Sequence, residues 1–386
     1  ISFATNSTVE FRGTQTQTIG AYNYGNLISS SSGARVLASS GTIGIAGLFT
    51  PGTNNYTIAG STVRFNGSNQ VVPVFNGSTG YNNLAIAQLS GNAVTAGNIT
   101  VGGTLNLVSG CLDIAGNILT LSGTAAIGGS PFSATKMIIA DGGGELRKIF
   151  TGNASYLFPV GDNSNVAEFS PVAISYTSGS YAVGAYASVK LVNLKHPSNT
   201  NTDNYLNRYW VIGNAGISNP LFSIDAVYSQ QDVVGSDTEI SMGKFTGSMP
   251  WIKYAAANIV NKTLSATNIN NTGAIAVTGI STFTGLQLTV FLEGFYSGNN
   301  FMRANLFDMG ISNNVLETDT IVVNLWSVAS LLNPQPDYTV KTVLHTDGTA
   351  SMKLPGAVNG NSFYIAVKHR NHLETWSRLP VMFQDS

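Results

Sequence analysis

Cysteine and charged residues are both scarce in this chain of 386 residues. Cys111 is the single cysteine, which excludes an internal disulfide framework. Charged residues make up 10% of the sequence, against about a quarter in typical soluble domains. The formal net charge is −1, which gives no electrostatic surface for nucleic acid. We therefore expect no nucleic-acid partner.

Long hydrophobic runs and helical patterns are missing as well. The most apolar stretch, Ile321 to Leu332, is interrupted by Asn324 and Ser327, so the sequence predicts no membrane-spanning segment. No stretch sustains a 3.6-residue period over three turns. Hydrophobic residues still make up 43% of the chain, which is enough apolar surface for folded cores. These features favour an all-β protein.

The stretch Asn98 to Gly123 shows the pattern that is there instead. Apolar residues two positions apart leave the same face of a short strand, and small turn residues separate the pairs. The pairs are Ile99/Val101, Leu105/Leu107, Leu112/Ile114 and Leu119/Leu121. Short inward-facing strands joined by Gly and Asn corners predict a β-solenoid, with a Greek-key sandwich as the alternative.

An internal repeat supports this interpretation. STVEFRG at Ser7 returns as STVRFNG at Ser61, NLIS at Asn26 as NLAI at Asn83, and GTIGIAG resembles GNITVGG. The offset of 54 to 57 residues is too long for one coil. It predicts a unit of two or three coils.

The pattern changes after Asp141 to Glu145, where strands become longer and aromatic residues more frequent. We expect a solenoid-like repeat region over residues 1–145 and a β-sandwich over 146–285. Strands at regular spacing predict an immunoglobulin-like sandwich over 286–386.

Three groups of segments resemble modular cell-surface and secreted proteins of Bacteroidetes that use type IX secretion. The first is TVRFNGSNQVV with YNNLAI, AGNITVGGTLNL and GNILTLSG, which is similar to their repeat regions. The second is FPVGDNS, FSPVAI and HPSNTNTDNYLNRYW, followed by YSQQDVVGSDTE. The third is LTVFLEGFYSG with FYIAVKHRNHLETWSRLPVMF, similar to a C-terminal module of such exported proteins. The resemblance implies an extracellular location and a class of role rather than a reaction.

Both ends of the sequence are expected to be junctions. Ile1 follows neither Met nor a signal peptide, and Pro380 to Phe383 reads as a strand. In proteins that it resembles, further chain usually follows the last module. We therefore expect neighbouring modules, or identical copies paired through strand edges, as partners.

Two clusters are candidate metal sites. His369, His372 and Glu374 could bind zinc, and the alternative is a polar hairpin tip. Asp232, Asp237 and Glu239 are oxygen donors that could bind calcium, although their spacing does not match an EF-hand loop. A solvated turn is the alternative there. Calcium is the one cofactor that the sequence leaves possible.

Other residues suggest contact with sugars. Tyr205, Tyr209, Trp210 and Trp251 could stack on extracellular polysaccharide, and the alternative is that these rings are core residues. Asp319-Thr320-Ile321 fits the short O-glycosylation motif of the Bacteroidetes proteins that the chain resembles, which predicts a glycan on Thr320.

Catalysis has little support in the sequence. There is no G-x-S-x-G motif, and the acids of residues 1–145 are only Glu10, Asp113, Asp141 and Glu145. We expect a non-catalytic structural or adhesive segment of an extracellular stalk, fibre or adhesin. The alternative is a carbohydrate-binding region of a secreted polysaccharide-degrading protein.

Overall fold

The fold is that of a computed structural model, which describes residues 2–77, 80–333 and 335–384. It is nearly all β, with a solenoid of about seven coils followed by sheet-rich regions. The all-β prediction and the solenoid are thus confirmed.

The solenoid consists of twenty short strands. They are β1 (Thr8–Phe11), β2 (Gln17–Ile19), β3 (Asn23–Tyr24), β4 (Asn26–Ser29), β5 (Arg35–Leu37), β6 (Ile43–Ile45), β7 (Phe49–Thr50), β8 (Tyr56–Thr57), β9 (Thr62–Phe65), β10 (Val71–Val72), β11 (Gly80–Tyr81), β12 (Asn83–Ala87), β13 (Ala93–Thr95), β14 (Ile99–Val101), β15 (Thr104–Ser109), β16 (Leu112–Asp113), β17 (Ile118–Leu121), β18 (Ala126–Gly128), β19 (Ile138–Ile139) and β20 (Glu145–Ile149).

Each coil contributes three strands, and most strands pair in parallel with the strand three positions later, except that within the described part of the chain β7 does not pair with β10 or β8 with β11. The longest ladder runs β3-β6-β9-β12-β15-β18, and others run β1-β4-β7, β2-β5-β8, β10-β13-β16-β19 and β11-β14-β17-β20. Val63 pairs with Leu84, and Leu84 with Leu105, so that one coil takes about twenty residues here. The apolar pairs between Ile99 and Leu121 all point inward and are buried.

Polar side chains join successive coils at the corners. Asn83 Oδ1 accepts a hydrogen bond from the Thr104 N–H at 2.8 Å in the next coil, and its Nδ2 donates to Ser61 O at 3.2 Å in the previous one. Ser90 Oγ donates to Ser68 Oγ at 2.9 Å in a ladder of hydroxyl groups. Gly110 takes φ +74°, and a Cβ there would lie 2.8 Å from that of Gln88. Small residues therefore fit the tight corners, and polar side chains there provide hydrogen-bond partners for the backbone.

The internal repeat does not correspond to whole coils. The STVEFRG segment forms β1 and STVRFNG forms β9, NLIS forms β4 and NLAI forms β12, and the GTIGIAG and GNITVGG segments contain β6 and β14. Each pair of segments is eight strands apart, which is two coils plus two strands. The repeated segments consequently lie on different sides of the solenoid. The repeated segments are similar because each forms one short strand and the corner that follows it. A strand needs inward apolar residues and a corner needs small residues on every side of the solenoid.

The second region extends the solenoid. Its strands are β21 (Ser155–Phe158), β22 (Val160–Asp162), β23 (Glu168–Phe169), β24 (Val172–Val192), β25 (Tyr205–Leu206), β26 (Tyr209–Val227), β27 (Val233–Val234), β28 (Ile240–Phe245), β29 (Ile252–Ala256), β30 (Thr263–Ile269) and β31 (Ile275–Ser281), with 3₁₀ helices at Gln230–Asp232 and Asp237–Glu239.

The solenoid and the second region share one sheet and one core. The β20 strand pairs antiparallel with β24, which joins the ladder β11-β14-β17-β20 to strands β24-β26-β31-β28-β29. β22 likewise continues the ladder of β19. A single cluster of buried apolar side chains extends from Ile19 to Val277. Residues on both sides of position 145 thus belong to one continuous body.

The third region has its own core. Its strands are β32 (Phe283–Thr289), β33 (Tyr296–Gly298), β34 (Phe301–Met302), β35 (Glu317–Trp326), β36 (Tyr338–His345), β37 (Thr349–Pro355), β38 (Ser362–His369), β39 (His372–Trp376) and β40 (Val381–Met382). The helix α1 (Asn305–Asp308) is a single turn, and 3₁₀ helices lie at Glu293–Phe295, Val328–Ser330 and Gly356–Val358.

Two sheets form this third core. The β32–β37 pair contributes Ala350 and Leu354, and the sheet β36-β35-β38-β39 contributes Ile321, Val323 and Leu325. The two layers bury these side chains between them, as strands with one apolar face require.

Candidate functional site

A buried ion cluster lies at the centre of the second region. The Arg208 side chain is fully buried and contacts the carboxylates of Asp162, Glu168 and Asp232. Its Nη1 lies 2.7 Å from Asp162 Oδ2 and donates to Ser170 Oγ at 2.7 Å. One guanidinium is therefore shared by three carboxylates in an interior where unpaired charge is costly.

This cluster brings together four segments that are far apart in the sequence. Asp162 belongs to FPVGD, Ser170 to FSPVAI, Arg208 to NRYW and Asp232 to QQD. Trp210 of the same NRYW segment donates from Nε1 to Ser170 O at 3.0 Å. Sequence reasoning did not select Arg208. The available signal was an arginine between apolar residues in a chain with few charges.

Two carboxyl groups of this cluster have raised pKa values. Burial raises the pKa of Asp232 to about 6, and the nearby Arg208 charge only partly opposes that effect. The pKa of Asp162 is also raised, again mainly because of burial. The cluster contains no exposed nucleophile, and its contacts hold strands together rather than face a cleft.

The calcium candidates have separate partners. Asp232 binds Arg208 inside the cluster, whereas Asp237 Oδ2 lies 2.7 Å from Lys262 Nζ. Glu239 Oε2 lies 3.0 Å from Lys353 Nζ and accepts from Asn204 Nδ2 at 2.7 Å. The structure does not bring these three carboxylates to one point, and calcium binding stays a prediction.

The zinc candidates are partly brought together. The turn between β38 and β39 places His369 Nδ1 2.8 Å from His372 Nδ1, while Glu374 instead pairs with Lys368 at 3.0 Å. His369 Nε2 faces the buried Asp319 at 3.3 Å, and Arg370 pairs with the same carboxylate at 2.8 Å. The two imidazoles are at hydrogen-bond distance from each other, and the third predicted ligand, Glu374, is paired elsewhere. Zinc binding stays a prediction that this arrangement does not favour.

Asp319 links this corner to the predicted glycosylation site. Burial alone would raise the pKa of Asp319, but the Thr320 N–H, His369 and Arg370 together lower it. Thr320 is half-buried on β35, and its N–H donates to Asp319 Oδ1 at 2.7 Å. Glycosylation of Thr320 stays a prediction that the mass of natively sourced protein will test.

The proposed sugar-stacking residues divide into two pairs. Trp210 is 0% exposed and Trp251 is 2% exposed, so both rings are core residues in this structure. Tyr205 lies under Lys195 Nζ at 4.3 Å, and Tyr209 packs against His196 with ring centres 4.8 Å apart. Both tyrosines are half-buried.

A cleft of about 500 Å³ lies between the second and third regions. Trp251, Lys253 and Gly360 contribute to its walls. Asn359 Nδ2 crosses the boundary and donates to Trp251 O at 2.7 Å. Its residues provide no clustered acids and bases, so the cleft offers binding surface rather than catalytic groups.

Metal-site and membrane searches give no candidate. Within residues 2–77, 80–333 and 335–384, no group of three or more His, Cys, Asp and Glu side chains is arranged to hold a metal ion. In the same described ranges, no helix has the length and apolar character needed to span a bilayer.

Comparison with protein-family models, curated proteins and solved structures finds no match.

Proposed function

We propose that this chain is a non-catalytic structural or adhesive segment of an extracellular surface protein, such as a stalk, fibre or adhesin. The observation that carries the proposal is the continuous core from Ile19 to Val277. About seven coils and the following sheets share this core, so that bending between them would break ladder hydrogen bonds and apolar contacts. A body of this kind transmits force and separates its two ends.

The surface composition agrees with the same role. Corner residues such as Asn83 and Ser90 present small neutral groups, which suit weak contacts repeated along a rod. We propose neighbouring modules or identical copies as partners, with extracellular polysaccharide as a further one. No cofactor is needed for this function, and calcium binding is not required by it.

Single-molecule pulling on the full chain tests the structural role. The solenoid and the second region, which ends at Ser281, are expected to unfold in one cooperative event, because they share a core. The third region is expected to unfold separately, since its core is its own. Coils that detach one at a time at low force would contradict the proposal.

The second candidate function is carbohydrate binding. Buried Trp210 and Trp251 weaken the surface first considered, but a different aromatic surface on the third region favours it.

A further inference from the structure

One face of the third region carries aromatic side chains that its core does not use. Along β35, Ile321, Val323 and Leu325 point into the core, so Asn324 and Trp326 point to the opposite face. Pairing places Tyr364 beside Trp326, Ala366 beside Asn324, and Trp376 beside Ala366. We call Asn324, Trp326, Tyr364 and Trp376 the tryptophan face.

The two tryptophans form an adjacent pair with unequal exposure. Their ring centres are 5.7 Å apart with an angle of 31° between the planes. Trp376 lies on the edge strand β39 and is 42% exposed, whereas Trp326 is 8% exposed. A large aromatic ring kept partly in water on a flat sheet is available for stacking.

Trp326 also lacks a hydrogen-bond partner. Its Nε1 is buried and donates to no described residue. A buried indole N–H normally has an acceptor, and an unsatisfied one costs free energy. Because this nitrogen has almost no accessible surface, Trp326 acts as the support beneath Trp376, and the exposed ring is the one open to a ligand.

The remainder of this face is mostly polar, and it carries a further cation, the exposed Lys341 opposite Val322. Thr339 Oγ1 donates to Asn324 Oδ1 at 2.9 Å, and Lys368 pairs with Glu374 at 3.0 Å. A stable protein interface needs roughly 800 Å² on each partner with an apolar centre, and three rings among polar groups do not provide it. Aromatic rings bordered by amide, hydroxyl and paired charged groups instead match a sugar, which has apolar C–H faces and many hydroxyls.

We propose that the tryptophan face binds a neutral oligosaccharide, with the exposed Trp376 ring stacked on a pyranose and Trp326 supporting that ring from within the sheet. This assignment deepens the adhesive function proposed above and rests on it, but the two fail separately. If the third region bound no sugar, the solenoid and the second region would still unfold together in the pulling experiment.

Isothermal titration of the full chain with cellohexaose, mannohexaose and xylohexaose tests the assignment. At least one of these hexasaccharides is expected to bind and to change tryptophan fluorescence. Trp376→Ala is expected to weaken that binding about tenfold, as loss of one stacking ring predicts. Trp376→Phe, which keeps a ring, should retain most of the affinity. Trp326→Phe should weaken binding severalfold, because the smaller ring loses part of its contact with Trp376.

Leu373→Ala is the matched control. Leu373 lies on the same strand and is 93% exposed, but its alternation with Trp376 places it off the tryptophan face. This variant should bind like the wild type. Three outcomes would overturn the assignment: no binding of any neutral hexasaccharide at millimolar concentration, equal binding by Trp376→Ala, or binding of hexagalacturonate alone.

Discussion

Buried cations show how single residues organise this chain. Arg208 is neutralised by three carboxylates, whereas Arg35 is fully buried and donates to backbone carbonyl oxygens, including Gly33 O and Phe11 O, both at 2.6 Å. Lys148 does the same, with Nζ donating to Ser122 O at 2.6 Å and Ala125 O at 2.7 Å. At the solenoid corners, a buried cation thus donates hydrogen bonds to several backbone carbonyl oxygens where the chain turns. The second region uses one to hold four chain segments together.

Removing Arg208 should be strongly destabilising. Arg208→Met leaves three buried carboxylates without their cation, and we expect a loss of about 3–5 kcal/mol in the free energy of unfolding. Urea denaturation followed by circular dichroism measures it. The control is Lys353→Gln, which removes the exposed pair with Glu239 and should cost at most about 1 kcal/mol. Equal effects for both variants would contradict a structural role for the cluster.

Asp232 should make stability depend on pH. Burial raises its pKa to about 6 from 3.8, so the folded protein holds a proton that the unfolded chain releases. Its favourable contribution is fully present below pH 3.8 and is lost as the pH rises through 6. The side chain at position 232 cannot ionise in the Asp232→Asn variant. In urea denaturation, the free energy of unfolding of the variant minus that of the wild type should therefore increase as the pH rises from about 4 to 7.

Asp347→Asn is the control for that series. Hydrogen bonds from Thr349 lower the pKa of Asp347, so its contribution is present above pH 3.8 and is lost as the pH falls below that value. The Asp347 variant should therefore show no trend between pH 4 and 7. A constant stability difference for Asp232→Asn over this range would be evidence against the raised pKa.

The coil is the element that repeats, and side chains at its corners connect each coil to the next. Leu84 and Leu105 stack inside the solenoid, while Asn83 bonds to coils on both sides of its own. Inward apolar residues provide most of the burial, but they do not fix the corner. The Asn83 side chain fixes the corner, because it forms hydrogen bonds with backbone groups of both neighbouring coils where the chain turns.

Asn83 should consequently contribute more than its exposure indicates. Asn83→Ala leaves the Thr104 N–H without its side-chain acceptor and removes one of the donors to Ser61 O, and we expect a loss of about 1–2 kcal/mol. Asn92→Ala is the matched control, since the Asn92 side chain makes no hydrogen bond to a described residue, and it should change stability by less than about 0.5 kcal/mol. Thermal unfolding of both variants measures the difference. Equal melting temperatures would show that corner bonds are replaceable by water.

Local sequence patterns predicted where the strands lie better than they predicted which strands and side chains contact one another. Spacing of two at Ile99/Val101 and Leu119/Leu121 identified buried strands, because inward residues alternate whatever the topology. The repeat did not reveal the coil of about twenty residues, since similar strands recur on different sides. Trp376 was likewise missed as a binding residue: alternation identifies opposite faces but does not say which face another layer covers. The contacts of Arg208 join residues 40 positions apart, which no local pattern encodes.

At the scale of the whole molecule, absence of turnover is the clearest expectation. The buried acids Asp162, Glu168 and Asp232 are bound to Arg208, and the cleft between the second and third regions lacks paired carboxylates. Hydrolysis of glycosides normally needs two accessible carboxyl groups. A screen of plant and algal polysaccharides with the full chain should release no reducing sugar. Product formation that one carboxylate substitution abolishes would contradict this prediction.

The last prediction concerns assembly through the first coil. Among the described residues, β1 pairs with β4 alone and β2 with β5 alone, so each has one open edge. The third side is partly covered, because Ser2 bridges to Asn23 and the Phe3 ring stacks on Tyr24 at 5.3 Å. Unpaired strand edges attract other strands, and lysine side chains block such pairing. We expect the isolated chain to self-associate as its concentration rises.

Light scattering distinguishes the possible assemblies. Pairing of two first coils through the same edge is symmetric and stops at a dimer, whereas pairing with a different edge, such as β29, continues into filaments. Thr8→Lys combined with Thr18→Lys places charges on exposed positions of β1 and β2 and should leave a monomer. Thr104→Lys, exposed on β15, which is paired on both sides, is the control and should associate like the wild type. A wild-type chain that stays monomeric at every concentration would show that two open edges are too short to hold a copy.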